Sequence, residues 1–298
     1  MKLAFHKASL GDQIAERVFV GLTGDSLNFL TSSSGLVRLI ERASSDACTL
    51  EEAANLAQGE PLIAAKLVSM ANSAAYNRGT SVTSVRDALN LVGLGMLRAV
   101  ASAAAVRQLA DSAAKVNQPS VNRLWQHSVE VAALASVIAR RFTRASPETA
   151  MFVGIVHEIA GFYLLSKSSE VVDLTGPDVA GVVGKVQATH EEAASSVLAV
   201  GARRLLAALQ VPDEVVEAID GQWRGYIMVP PETLADTLCI AKLMASTPSP
   251  FEVRDSADPA NPAGSLDLGV VLQKSEIQTV LQQRYDEVRS IQQVLIQR

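Results

Sequence analysis

The chain is poor in the residues on which several protein classes depend. It has only two cysteines, Cys48 and Cys239, and no CxxC pair. That excludes a zinc ribbon or a disulfide framework and fits a reduced, cytoplasmic setting. Aromatic residues make up 4% of it, so close-packed helices rich in Ala, Val and Leu are expected rather than a β-sandwich. Positive charge is in deficit: the net charge is −5, which argues against a broad nucleic-acid surface. The GxxxxGK[ST] phosphate loop is absent. Met1 to Leu10 lacks the long apolar stretch of a signal peptide. No uninterrupted run reads as a membrane span, so no membrane partner is expected. Neither a convincing strand nor an internal repeat is found.

What is present is material for a large helical core. Of 298 residues, 48% are hydrophobic and 19% charged, enough for one large domain or two small ones. Val18 to Leu30 is read as a lead-in. Leu36, Leu39, Ile40 and Ala43 have helical spacing. Thr49-Leu-Glu-Glu52 is a capping box. Pro61 suits the first turn of a helix with Leu62, Ala65 and Val68 or Ser69 on one side. Ser84-Val-Arg-Asp87 is a looser start signal, followed by Val85, Ala88, Leu89 and Val92 as an apolar face. Gly93 and Gly95 then break the pattern, as a turn or a close helix approach, before a helix from Met96 to Leu109.

Pro119 and Ser120 open a long helix to Phe142, with Leu124, His127, Val131, Leu134 and Ile138 facing inward. Ser146-Pro147-Glu148 starts the next helix. Residues 173–184 read as a loop. Thr189-His-Glu-Glu192 is another capping box, with His190 in its first turn. Ala193, Val197, Gly201, Leu205 and Leu209 follow at every fourth position. Pro212 opens Asp213 to Ile219, and Pro230-Pro231 opens Glu232 to Met244. Residues 247–264 are a loop rich in Pro, Ser and Asp. Glu276 to Gln297 reads as one helix with a stripe of Ile277, Val280 or Leu281, Val288, Ile291 and Leu295. It is expected to pack intramolecularly, with a dimer or partner surface as the alternative.

The stretch Ala150 to Ser166, AMFVGIVHEIAGFYLLS, stands apart. A helix apolar all round belongs in a core, and this one is too short and too interrupted for a bilayer. Yet it carries His157 and Glu158 side by side. Buried ionisable groups are costly unless paired or bound to metal, so the pair is part of a site or the trace of one.

Three blocks resemble the HDOD family, the HD-related output domain of bacterial signalling proteins. They are GEPLIAAKLVSMANSAAYN (59–77), SVTSVRDALNLVGLGMLRAV (81–100), and LWQHSVEVAALASVIA with ETAMFVGIVHEIAGFYLL (124–139 and 148–165). Weaker similarity runs through 206–219. The resemblance implies an all-α, compact multi-helix fold of two packed helical parts. It places residues 1–19 as a lead-in, 20–225 as the HDOD domain and 226–298 as a helical extension packed on it. It also implies descent from metal-dependent phosphohydrolases whose metal is held by a first His, a His-Asp pair and a later Asp. The matching positions are His127, His157, Glu158 and Asp236. There, imidazole and carboxylate ligands would hold a divalent ion that acidifies a water.

The departures from that pattern set the functional expectation. Glu158 stands where the hydrolases have Asp. Gln222-Trp223 replaces a histidine pair, and no Lys or Arg cluster is evident near the His-Glu pair. The four candidates are therefore read as vestigial, with no metal, cofactor or catalytic residue expected. Asn72 and Ser73 are read as helix capping, and Trp125 and Trp223 as packing. The expected function is that of a non-catalytic, cytoplasmic regulatory protein whose partners are other signalling proteins. The alternative is a metal-dependent hydrolase of a nucleotide or cyclic dinucleotide.

Overall fold

The computed structural model describes residues 34–45, 47–77, 79–166, 197–208, 211–223, 227–251 and 276–297. The lead-in, the 173–184 loop, the 189–192 capping box with His190, Ala193, Leu209 and the 252–264 part of the Pro-rich loop lie outside the described residues. Among the described residues there are eleven helices and no strand, so the fold is all-α.

The first helices start where side chains can take up free amides. Helix α1 is Ser34–Ala43, and Leu36, Leu39, Ile40 and Ala43 are all buried. Thr49 caps α2, Leu50–Gln58, by accepting from the Glu52 N–H. The Glu52 carboxylate does not reach back to complete the box. It receives two bonds from Arg42, at 2.8 and 2.7 Å, tying α1 to α2.

Helix α3, Pro61–Ala71, begins at its proline as expected, but the expected stripe is turned. The buried residues are Ile63, Lys66, Leu67, Met70 and Ala71, while Leu62 is 48% exposed. The cause is Lys66. Its Nζ donates to the carbonyls of Val294 and Gln297 at 2.9 and 2.6 Å. The acceptors close the last turn of the final helix, where free carbonyls favour a cation. Asn72 caps α3 and accepts from the Val82 N–H while donating to the carbonyls of Val68 and Val82. This is the capping role expected for it.

The spine is α4, Val85–Phe142, begun by Ser84, whose hydroxyl accepts from the Asp87 N–H. It runs as one element where separate helices were expected. The glycines mark it differently. Gly93 has φ +78°, the left-handed region glycine tolerates. Gly95 is a close-approach site, where an added Cβ would lie 3.0 Å from Glu148 Cβ. Pro119 lies inside the helix and has no N–H to offer the carbonyl four residues back.

The remaining helices are α5 Pro147–Val156, α6 Ile159–Ser166, α7 Val197–Ala208, α8 Asp213–Gly221, α9 Leu234–Met244, α10 Glu276–Gln283 and α11 Tyr285–Ile296. Of these, α5, α6, α9, α10 and α11 pack directly on α4. The expected C-terminal helix is therefore two, separated at Arg284, though Ile277, Leu281, Val288, Ile291 and Leu295 are buried as expected. Helix α9 starts at Thr233 rather than at the two prolines.

Two stretches, 85–111 and 147–166, are long and apolar enough to cross a bilayer, contrary to the expectation from sequence. Both are mostly buried within the fold, as core helices are. The second is also interrupted: α5 ends at Val156 and α6 begins at Ile159, with His157 and Glu158 in the turn between.

Gly154 fixes how closely α5 approaches the spine. An added Cβ would lie 2.4 Å from Ala132 Cα and 2.7 Å from Ala132 N, both backbone atoms. Gly154→Ala is expected to cost about 3 kcal/mol, the upper range for overpacking a core. Gly79→Ala, which would meet nothing within 4 Å at φ +98°, is expected to cost about 1 kcal/mol, for backbone strain alone. Chemical denaturation of the two variants beside the parent chain checks the ranking.

Candidate functional site

The turn between α5 and α6 is where the core accepts polar groups. His157 is 2% exposed and Glu158 6%. The His157 Nδ1 lies 2.8 Å from the carbonyl of Gly154. In an unbroken helix that carbonyl would receive the amide of residue 158. The imidazole thus competes for a backbone acceptor, which accounts for the break in the expected helix.

His127 projects from α4 and is fully buried. Its Nδ1 lies 2.7 Å from the carbonyl of Thr247. A carbonyl only accepts, so in each neutral ring Nδ1 carries the hydrogen and Nε2 offers a lone pair. The two Nε2 atoms face each other at 3.4 Å. The contact depends on Gly154, which lets α5 close on α4, and on the segment that follows α9.

That segment is strapped to one face of α4. Glu130 accepts from the N–H groups of Ser246 and Thr247 at 2.7 and 3.0 Å. Arg123 donates to the carbonyl of Pro248 at 3.0 Å. Arg123, His127 and Glu130 are spaced four and three apart, so they share a face. Beyond the strap, Phe251 is buried against Gly161, where an added Cβ would lie 2.5 Å from the ring.

Of the four expected residues, three come together. The ligand-capable atoms of His127, His157 and Glu158 lie within 4.8 Å of one another, with Glu158 Oε1 3.9 Å from His157 Nε2. Asp236 is not in this cluster. Its carboxylate completes the capping box of α9: Oδ2 accepts from Thr233 N and Oγ1, at 2.9 and 2.7 Å, and from Glu232 N at 3.2 Å. Its Oδ1 accepts from Met228 N at 3.0 Å. Burial pushes this carboxyl up, but the bonds from Met228, Thr233 and Glu232 outweigh it and hold the group below the usual carboxylate range.

A residue unmarked by the sequence reading stands beside Glu158. Lys242 of α9 has its Nζ 3.8 Å from Glu158 Oε1 and 2.8 Å from Gln222 Oε1. The expectation of no Lys or Arg cluster near the pair missed this single ammonium. A signal existed in LCIAKLM, a lone charge in an apolar run, the same kind that marked His157. Burial first, then the Lys242 ammonium and the His127 ring, push the His157 imidazole well below its usual range. Trp125 is packed edge-on to Phe162 with Arg107 over its face, as expected of a core residue.

The imidazole pair by itself would suit a metal: two nitrogens on a tetrahedral zinc ion sit about 3.3 Å apart, each with its other nitrogen held by an acceptor. The rest of the donor set does not fit. The second carboxylate is spent on capping α9, and the remaining one already faces an ammonium. Glu158 and Lys242 cancel, so a divalent ion would bring two uncompensated charges into a buried site, an expensive arrangement.

A family model described as the HDOD domain matches residues 31–224. No curated protein matches the chain. Among solved structures, a Shewanella amazonensis SB2B protein called "Putative metal-dependent phosphohydrolase" is 19% identical over 95% of this chain and 99% of its own, with a TM-score of 0.60. An HDOD domain protein of unknown function from Geobacter sulfurreducens is 15% identical over 88% and 90%, with a TM-score of 0.55. A Marinobacter aquaeolei VT8 protein called "Putative signal transduction protein" is 18% identical over 97% of this chain and 68% of its own, with a TM-score of 0.57. At these identities the likeness is one of fold.

Asp236→Asn should therefore behave as a capping variant. It is expected to lower stability by about 1–2 kcal/mol at pH 7. A carboxyl held below its unfolded value stabilises the fold above about pH 3.9 and loses that contribution as pH falls through the folded value. The gap between parent and variant should thus close under acid, as denaturation at pH 7 and below pH 4 would measure. A gap unchanged under acid would remove the capping role.

Proposed function

The chain belongs to the HDOD domain family, and from that membership we propose that it is a non-catalytic, cytoplasmic signalling or regulatory protein that acts by contact with other proteins. The observation that carries this reading is the diversion of Asp236 to a helix cap. It leaves a hydrolytic ion one carboxylate short. The burial of His127, His157 and Glu158 supports it further, because a hydrolytic metal needs an open position for water and substrate. The name of the Marinobacter neighbour is consistent with signalling.

Contact surface is available elsewhere. A groove of about 580 Å³ runs between α4, the end of α9 and helices α10 and α11. Tyr285 and Ile296 on its wall are 59% and 51% exposed. Partners are other signalling proteins rather than nucleic acid or membrane, and no cofactor is called for. Self-association of the C-terminal helices is the variant of this reading that sedimentation would detect.

The competing reading is a metal-dependent phosphohydrolase acting on a nucleotide or cyclic dinucleotide. The facing imidazoles at 3.4 Å and the name of the Shewanella neighbour favour it. Metal analysis of the purified chain decides between them, with hydrolysis of a cyclic dinucleotide and of bis(p-nitrophenyl) phosphate under added manganese, nickel or iron. Substoichiometric metal and turnover at the protein-free rate are expected, unchanged by His157→Ala. Stoichiometric metal with turnover, both lost in His157→Ala, would establish the enzyme instead.

A further inference from the structure

We propose that the Lys242 ammonium is the resident cation of the His127–His157–Glu158 site, standing in for a metal ion and excluding one. The inference rests on the non-catalytic reading and goes beyond it, since it names the group that makes the site self-sufficient.

The geometry is that of a charge held for one purpose. Lys242 is on α9, yet its Nζ is directed at the core, with 17% of the side chain exposed. The Gln222 carbonyl oxygen accepts from it at 2.8 Å, and Glu158 Oε1 lies 3.8 Å away. At that separation opposite charges attract, the more so where solvent is largely kept away. Gln222 Nε2 is buried and has no hydrogen-bond partner among the described residues, while its oxygen is bonded to the lysine. Among the described residues, the ionisable groups near Glu158 are this ammonium, the His157 ring at 3.9 Å and the His127 ring within 4.8 Å, and the ammonium is the one lysine or arginine among them. The imidazoles keep their Nε2 lone pairs facing each other. Two nitrogen donors and one carboxylate therefore remain in place, and the cation opposite them is covalently part of the chain.

A consequence separates this from simple decay of a metal site. Removing the lysine charge should leave His₂Glu, a donor set that binds zinc-like ions. The chain should gain a metal by losing one side chain. The test uses the full chain, stripped with chelator and titrated with Co²⁺. The ion's visible absorption reports nitrogen and oxygen ligation, and Zn²⁺ competes for the same place. Lys242→Met is expected to bind Co²⁺ at one equivalent, on the order of a hundredfold more tightly than the parent chain. Lys242→Arg, which keeps the charge, is expected to behave as the parent. The gain should vanish in the double variant Lys242→Met with His157→Ala.

Lys242→Gln, which also removes the charge but can still bond Gln222, provides a second route if the methionine variant folds poorly. Cobalt should raise the Tm of either neutral variant and leave the parent's unchanged, since a ligand that binds only the folded state stabilises it. Neutral variants with no more affinity than the parent would overturn the proposal and leave the non-catalytic reading standing. A parent chain that takes up one equivalent at His157 as tightly as Lys242→Met would overturn both.

Discussion

Four polar side chains meet in a place largely shielded from solvent. His127, His157, Glu158 and Lys242 meet at the seam between the spine helix, the α5–α6 turn and α9. Each must find its counterpart among the others or in the backbone, because an unpaired buried polar group costs more than most contacts return. The solution is local, and its cost is a Gln222 Nε2 left without a hydrogen-bond partner among the described residues. Two backbone carbonyls hold the rings, an ammonium faces the carboxylate, and an amide oxygen holds the ammonium. The helices follow from it: α5 breaks where His157 takes the Gly154 carbonyl, and the segment after α9 lies across α4 so that Thr247 can meet His127.

This arrangement also explains why small residues cluster here. Imidazole rings reach only so far, and the two Nε2 atoms meet because α5 lies almost in contact with the Ala132 backbone at Gly154. Gly161 gives the same freedom on α6, where the Phe251 ring rests. Packing at this density leaves no spare volume. A residue added at either glycine would move the polar cluster as well as the apolar core.

The helical architecture was largely legible in the sequence because it depends on short-range signals. Thr49, Ser84 and Ser146 each accept from the amide three residues on, as their positions predict. The inward stripe through Leu124, His127 and Val131 needed only a period of 3.6. Errors arose where a long-range contact overrode a local pattern. On α3 the expected stripe through Leu62 and Ala65 gave way to one through Ile63, Leu67 and Met70, where Lys66 reaches carbonyls more than 220 residues away in the chain. Asp236 sat at a plausible ligand position, but Thr233 three residues before it made a cap of it. Lys242 was passed over because its meaning depends on Glu158, 84 positions earlier. No spacing rule connects them.

Lys66 and Lys242 show one principle at two scales. Both are lysines turned inward, and both put an ammonium against oxygen atoms that would otherwise be left in the core without a positive partner. At Lys66 the oxygens are carbonyls at the end of the final helix, where the backbone dipoles already favour a cation. At Lys242 they are an amide oxygen and a carboxylate. A lysine suits both because its charge is compact and carried on a flexible stem, so it can be delivered to a point fixed by other helices. The same stem ties what it reaches: α3 to α11 in one case, α9 to the α5–α6 turn in the other. A bound ion could neutralise Glu158, but it could not anchor α9, because the connection would be lost whenever the ion left. The covalent cation thus does structural work as well as electrostatic work. That dual role gives a physical reason for this chain to keep a His-Glu pair in its core.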